Sequence, residues 1–228
     1  MNYKAVDAGV DPTILKQFDV PADWATAEDN AAIVDTDPKF IKEVVRPIGK
    51  FVGTTIPVSA FEGREDGTWD AGTAAYEKRG IAVNVPRWDI SKCIQCNQCS
   101  FVCPHAAIRP VLLTEEEKAA APAGFETKKA MGKPLAGLEY RIQVDVMDCT
   151  GCGNCVDACI AKEKALSLVP IHEEMHQVEN WDYAVTVPVK DDKMDKYSVK
   201  GSQFQQPLLE FSGACAGCGE TPYIKNTH

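Results

Sequence analysis

The sequence predicts an α+β fold whose central part is built twice over. Three observations carry this. Eight of the ten cysteines fall into two copies of one spacing, Cys93-x-x-Cys96-x-x-Cys99-x-x-x-Cys103 and Cys149-x-x-Cys152-x-x-Cys155-x-x-x-Cys159. The copies stand at a constant offset of 56 residues (149 − 93). Each is bracketed by short apolar segments that read as strands: 81–85 and 107–113 around the first, 140–146 and 165–171 around the second. Each half therefore reads strand, cysteine loop, one helical turn, strand.

The spacing specifies a chemistry. Three cysteines at i, i+3 and i+6 wrap a cluster well and pair with one another badly, so a disulfide framework is the weaker reading. With a fourth cysteine four residues on, the run is the bacterial two-cluster 4Fe-4S pattern, in which each run lends its fourth cysteine to the other cluster. Cys93, Cys96 and Cys99 are expected to hold one cluster with Cys159, and Cys149, Cys152 and Cys155 the other with Cys103. The predicted domain, residues 81–172, is thus a pseudo-twofold bacterial-ferredoxin-like unit for two 4Fe-4S clusters, and neither half should fold without the other. Gly151, Gly153 and Asn154 leave room for backbone N–H groups to point at sulfur. Ile160 stands where the first run has Pro104, a departure that removes no ligand. Structural zinc is the competing reading, but a four-ligand zinc site, usually built from two pairs, has no use for three-plus-one occurring twice.

Before this domain, residues 1–80 read as a helical and irregular extension. Residues 1–35 show weak periodicity. Asp37-Pro38 is an N-cap followed by a first-turn proline, and Phe40, Ile41, Val44, Val45 and Ile48 form one apolar stripe, so a helix is predicted near 38–50. A β-like run at 54–58 and a Gly/Asp-rich loop at 63–72 lead to Glu77-Lys78-Arg79-Gly80. Between the halves, residues 114–139 form an insertion. Thr114 should cap a helix with Glu116 and Glu117 in its first turn, and a loop follows. A solvated excursion is the plainer reading of the insertion, and contact with another domain or subunit the alternative.

Residues 173–228 read as a connector. Segment 172–180 is polar, 183–189 alternates like an edge strand limited by Pro188, and 191–200 is charged. His105 reads as a packing or surface residue, and His172 with His176 as part of a solvated stretch. Glu115-Glu116-Glu117 and Asp191-Asp192 read as solvated faces, and Trp24, Trp69, Trp88 and Trp181 as core or interface anchors. Cys215-x-x-Cys218 is by itself a weak signal, since two cysteines complete no cluster. There is no nucleophile–base pair, phosphate-binding glycine loop or paired-carboxylate site, so this chain shows electron wiring and no substrate chemistry.

The charge of −9, from 24 basic and 33 acidic residues, excludes a nucleic-acid binder that works through a broad basic face. No apolar stretch approaches the ~20 residues of a membrane span, and the N-terminus shows no apolar signal core. A reducing cytoplasm is the expected setting.

Beyond the cysteines, several stretches resemble one family. They are Arg46-Pro47, Pro57-Val58-Ser59-Ala60-Phe61, Gly67-Thr68, Tyr76-Glu77-Lys78-Arg79-Gly80-Ile81-Ala82, and Val85-Pro86-Arg87-Trp88. They continue through Cys93-Ile94-Gln95-Cys96-Asn97-Gln98-Cys99 and Phe101-Val102-Cys103-Pro104-His105-Ala106-Ala107-Ile108-Arg109. The last is Phe211-Ser212-Gly213-Ala214-Cys215-Ala216-Gly217-Cys218-Gly219-Glu220-Thr221-Pro222-Tyr223. Together they resemble pyruvate:ferredoxin oxidoreductase, also called pyruvate synthase. The resemblance implies an enzyme that decarboxylates pyruvate on thiamine diphosphate and magnesium, captures the acyl group on coenzyme A and passes electrons singly to ferredoxin or flavodoxin. It further implies that Cys215 and Cys218 ligate a third 4Fe-4S cluster, that Glu220 and Thr221 lie near the thiamine, and that the complete enzyme is a homo-oligomer. Enzymes of this family are several times longer, so the chain is expected to be a central piece ending at the truncated start of a thiamine-diphosphate-binding domain. The remaining domains or chains are its expected partners, and alone it should not decarboxylate. A local basic patch (Lys128, Lys129 and Lys133) is the candidate contact for an acidic carrier. A free-standing ferredoxin-like carrier subunit is the alternative reading.

Overall fold

The computed structural model describes residues 3–11, 13, 19–26, 36–213, 220–221 and 223–224. A short helix α1 (Tyr3–Ala8) and a 3-10 turn (Ala22–Thr26) bury no residue. Trp24 on that turn is 67% exposed, so within the described residues it anchors nothing. From 39 to 49 the chain is helical without a break, as Asp37-Pro38 predicts: a π-helical stretch (Ile41–Val45) runs into α2 (Arg46–Gly49). Pro47 sits just after the π-helical stretch gives way to α2, where the wider turn accommodates a residue with no N–H to donate. Ile41 and Val44 bury, and Arg46 donates back to Asp37 at 3.1 and 2.8 Å, fastening the helix to its own start.

Segment 54–58 is not a strand. 3-10 turns Gly53–Thr55 and Val58–Phe61 flank Pro57 there. No strand among the described residues pairs with it, and a short apolar run without a pairing partner does not stay extended.

The central domain follows the predicted order: β1 (Asn84–Trp88), α3 (Gln98–Phe101), β2 (Ile108–Leu113), then α4 (Glu115–Ala119), β3 (Lys128–Lys129) and β4 (Glu139–Val144), then α5 (Asn154–Asp157) and β5 (Leu166–Pro170). β1 pairs antiparallel with β5, and β2 pairs antiparallel with β4, which β3 flanks on its other side. The strand before each cysteine run is therefore bonded to the strand after the other run. One apolar core lies between the two sheets: Val85, Ile108, Tyr140, Ile142, Val144 and Leu166 are buried there, with Cys93, Cys99, Cys103 and Cys149 packed against them. β1 starts later than the alternation suggests. Ile81 and Val83 are exposed, while Ala82 faces inward against Gly151.

The insertion corrects the solvated-excursion expectation. Its helix is capped as predicted: the Thr114 hydroxyl accepts from the Glu117 N–H (3.2 Å), and the Glu117 carboxylate accepts from the Thr114 N–H (2.7 Å). Beyond it, Leu135 is fully buried in the main core, a burial that contributes about 1.5–3 kcal/mol. Phe125 joins Leu113 and Ala184 in a second, smaller core.

After β5 the chain forms α6 (Gln177–Ala184) and α7 (Val199–Ser202). Residues 183–189 are not an edge strand. Trp181 and Ala184, one helical turn apart, bury on one face of α6, while Val185 and Val189 stay exposed. Tyr183 and Ala184 end α6, and 185–189 continue as a turn and irregular chain in which Pro188 lacks the N–H a ladder needs. His172 and His176 are exposed and do not share a helix. Trp88 and Trp181 are anchors as expected; Trp69 stacks edge-on against Phe40 at 4.8 Å yet remains 46% exposed.

Candidate metal centre

The two cysteine loops are built alike. In the first, Gln95 and Asn97 adopt left-handed backbone (φ 58° and 62°); at the same offset in the second stand Gly151 and Gly153 (φ 70° and 82°). These kinks turn successive cysteines toward one side. α3 then carries Cys99, and α5 carries Cys155.

Across the core the runs exchange their last members. Cys93, Cys96, Cys99 and Cys159 line one cavity with Trp88, Tyr140 and Leu166. Cys103 lines a second with Cys149, Cys152 and Cys155, walled by Pro86, His105 and Val144. Backbone N–H groups already point at sulfur: Gln95 N–H to Cys93 Sγ (3.4 Å), Gly151 N–H to Cys149 Sγ (3.4 Å) and Ala165 N–H to Cys159 Sγ (3.3 Å).

Each cavity is lined by four cysteines, three from one run and the fourth from the other, and this is the all-thiolate donor set of a 4Fe-4S cluster. Burial, and then the neighbouring thiols, push Cys99 and Cys149 up to about 12 and raise Cys155 further. Such thiols give up their protons only to a strong positive charge, so loading must release protons.

Gly151 is the tightest point of the second loop. A Cβ there would lie 2.8 Å from the Asn84 carbonyl oxygen, at a φ that side chains disfavour. Gly151→Ala is expected to lose about 1–3 kcal/mol in denaturant unfolding, and Gly153→Ala, with nothing nearer than 3.8 Å, distinctly less.

Three arrangements near the cavities were not visible in the residue pattern. Lys78 donates to Asp145 (2.5 Å) and Asp148 (2.8 Å), tying the extension to the second loop. His105 is buried, holds Ser212 Oγ at 3.0 Å through Nδ1, and accepts the Phe211 N–H on its carbonyl (2.9 Å). Gln95 and Asn97 bond to the insertion and to α7. The one available signal was the pair of amide side chains standing where the second loop has glycines.

Cys215 and Cys218 lie outside the described residues. Glu220 is exposed and Thr221 buried. Of the expected basic patch, Lys129 and Lys133 are exposed, but the Lys128 amine is committed to the Ile90 and Cys93 carbonyls.

Residues 92–163 match the model of a 4Fe-4S dicluster domain, and residues 26–82 match EKR, a domain of unknown function. The pyruvate:ferredoxin oxidoreductase of Moorella thermoacetica is 55% identical over 228 residues, covering 99% of this chain and 19% of that protein. The chain is homologous to one segment of the pyruvate:ferredoxin and pyruvate-flavodoxin oxidoreductases. The pyruvate-flavodoxin oxidoreductase of Enterobacter agglomerans is 52% identical over 225 residues, again 99% of this chain and 19% of the relative. The mitochondrial pyruvate dehydrogenase [NADP(+)] of Euglena gracilis is 45% identical over 229 residues and is covered to 12%. The chain thus spans about a fifth or less of the length of these relatives. The EKR match ends beside Lys78 and Gly80, where the extension meets the second cysteine loop. No helix among the described residues is long and apolar enough to cross a membrane.

Proposed function

We propose that this chain is the electron-transfer segment of a pyruvate:ferredoxin (flavodoxin) oxidoreductase, and that residues 81–172 hold two 4Fe-4S clusters on a pseudo-twofold, bacterial-ferredoxin-like plan. The observation that carries the reading is the exchange of Cys103 and Cys159 between two four-cysteine cavities. The crossed strand pairing β1–β5 and β2–β4 supports it. Such clusters accept and release one electron at a time at low potential. The protein's part is to supply eight thiols, to keep water from the cavities with Tyr140, Trp88, Ile142 and Val144, and to aim N–H groups at sulfur.

In the whole enzyme, electrons from thiamine-dependent decarboxylation of pyruvate, with coenzyme A as acyl acceptor, would pass through this segment to ferredoxin or flavodoxin. Residues 1–80 serve as an extension clamped to the second loop, and 173–228 as a connector toward Cys215 and Cys218, two ligands of a third 4Fe-4S cluster. Phe211, Ser212 and Gly213 line a hollow with Met147, Asp148 and Thr150, so the connector is packed against the second cysteine loop as far as Gly213. Glu220 and Thr221 are assigned to the neighbourhood of the thiamine.

Reconstituted anaerobically, the 228 residues are expected to bind about eight iron and eight sulfide per chain. They should bleach with dithionite and not with pyruvate plus coenzyme A. A zinc-only chain, or pyruvate-dependent reduction by these residues alone, would overturn the assignment.

A further inference from the structure

The two loops match in backbone and differ in what covers them. Gly151 and Gly153 hold left-handed backbone without strain, whereas Gln95 and Asn97 do so as buried side-chain residues. Each amide is bonded at both its nitrogen and its oxygen. Gln95 Nε2 donates to the Lys129 carbonyl (2.8 Å), and its Oε1 accepts the Met131 N–H (2.7 Å). Asn97 Nδ2 donates to the Lys200 carbonyl (2.9 Å), and its Oδ1 accepts from the Tyr140 hydroxyl (2.7 Å). These bonds stitch part of the insertion and α7 over the first loop.

Both covering segments bring a lysine. The Lys128 amine donates to the carbonyls of Ile90 and Cys93, each at 2.9 Å. The Lys200 amine donates to the Met131 carbonyl at 2.7 Å. Burial lowers the Lys200 pKa, while the Cys93 and Cys96 sulfurs favour its charged form. Neither lysine meets a carboxylate among the described residues.

Around the second loop Lys78 is paired with Asp145 and Asp148, Lys164 with Asp157, and Arg109 with Glu210. Lys92, beside Cys93, is likewise paired with Asp89 and Glu163. Lys128 and Lys200 thus bring two ammonium groups without a carboxylate partner among the described residues to the backbone that covers the first loop.

We propose that Lys128 and Lys200 are tuning residues that raise the reduction potential of the cluster held by Cys93, Cys96, Cys99 and Cys159 above that of its neighbour at Cys103, Cys149, Cys152 and Cys155. The inference rests on the two-cluster reading above. One-electron reduction adds one negative charge, and an unpaired ammonium in a low-dielectric setting stabilises the reduced form. The amides at 95 and 97 hold the cover that carries these charges.

The test is a dithionite redox titration of the full reconstituted chain, followed by electron paramagnetic resonance. Wild type should show two separated couples. Lys200→Gln should move the more positive couple negative, so that the constant for electron exchange between the clusters falls about tenfold, equal to about 59 mV for one electron. Lys200→Arg, which keeps the charge, should keep the wild-type gap; Lys200→Gln can still donate to the Met131 carbonyl, so its shift reads the charge and not the hydrogen bond. Lys128→Gln should narrow the gap independently, and it decides the matter if Lys200→Gln loses iron. Unmoved couples, equal movement of both, or movement of the more negative one would overturn the proposal. Wild-type chain without iron would instead defeat the two-cluster reading itself.

Discussion

Replacing Cys103 by alanine is expected to remove the cluster of the other loop and spare that of its own run. Iron should fall from about eight to about four per chain, with the surviving signal that of the Cys93 set. Pairs of substitutions give the decisive comparison. Cys103→Ala with Cys149→Ala, from different runs but one cavity, should still leave about four iron. Cys93→Ala with Cys103→Ala, from the same run but different cavities, should leave almost none. Retention of about four iron in that second pair would mean that each run serves itself. The physical reason is the placement of the fourth cysteines: Cys103 borders Cys149 and Cys155, and Cys159 borders Cys99. Because Cys93, Cys99, Cys103, Cys149 and Cys155 pack in one core, losing either cluster should also lower the unfolding temperature of the whole domain. Metal-binding free energy is folding free energy here, and what remains is a core holding buried, unligated thiols.

The parts of this fold that were legible from sequence are those set by local spacing. The cysteine runs, their 56-residue offset, the turns α3 and α5, the capping box at Thr114 and the strands β2, β4 and β5 each depend on residues a few positions apart. The failures share a different cause. Segments 54–58 and 183–189 carry apolar alternation, but no strand among the described residues pairs with them, and the second begins inside α6 at Tyr183 and Ala184 and leaves it as a turn. The insertion reads as solvated because its composition is polar. Its place is set by Leu135 in the core and by Gln95, which bonds to Lys129 and Met131 from 34 and 36 positions away. Residues that meet over such separations leave no periodic trace. The same is true of His105 with Ser212, 107 positions apart, and of the lysine that joins the extension to the second loop.

That lysine carries the largest stability effect expected outside the cysteines. Lys78 reaches Asp145 and Asp148, whose side chains are only 3% and 6% exposed. Asp145 shapes the turn into Cys149: its Oδ1 accepts the N–H groups of Met147 (3.1 Å) and Asp148 (3.2 Å), and its carbonyl accepts that of Cys149 (3.0 Å). Nearby, the Gly80 N–H donates to the Met147 carbonyl at 2.7 Å, so two successive contacts clamp the extension to this turn. Lys78→Met keeps most of the side-chain volume and strands two carboxylates. A loss of about 3 kcal/mol is expected, the lower end for breaking a buried pair because Lys78 itself is one-third exposed. The loss should depend on pH. Burial pushes Asp148 up to about 6 even with Lys78 present, and Asp145 adds to the push. A carboxyl that binds its proton more tightly folded than unfolded makes the fold lose stability as pH rises between the two pKa values. Without Lys78 that window extends upward, so the deficit should be greatest above about pH 7 and shrink toward pH 5. Adding Asp148→Asn should restore part of it, because one of the two facing charges is gone. A deficit of equal size at every pH would assign the role of Lys78 to its packing over Trp181 and Phe211, at 5.7 and 5.1 Å, and not to its charge.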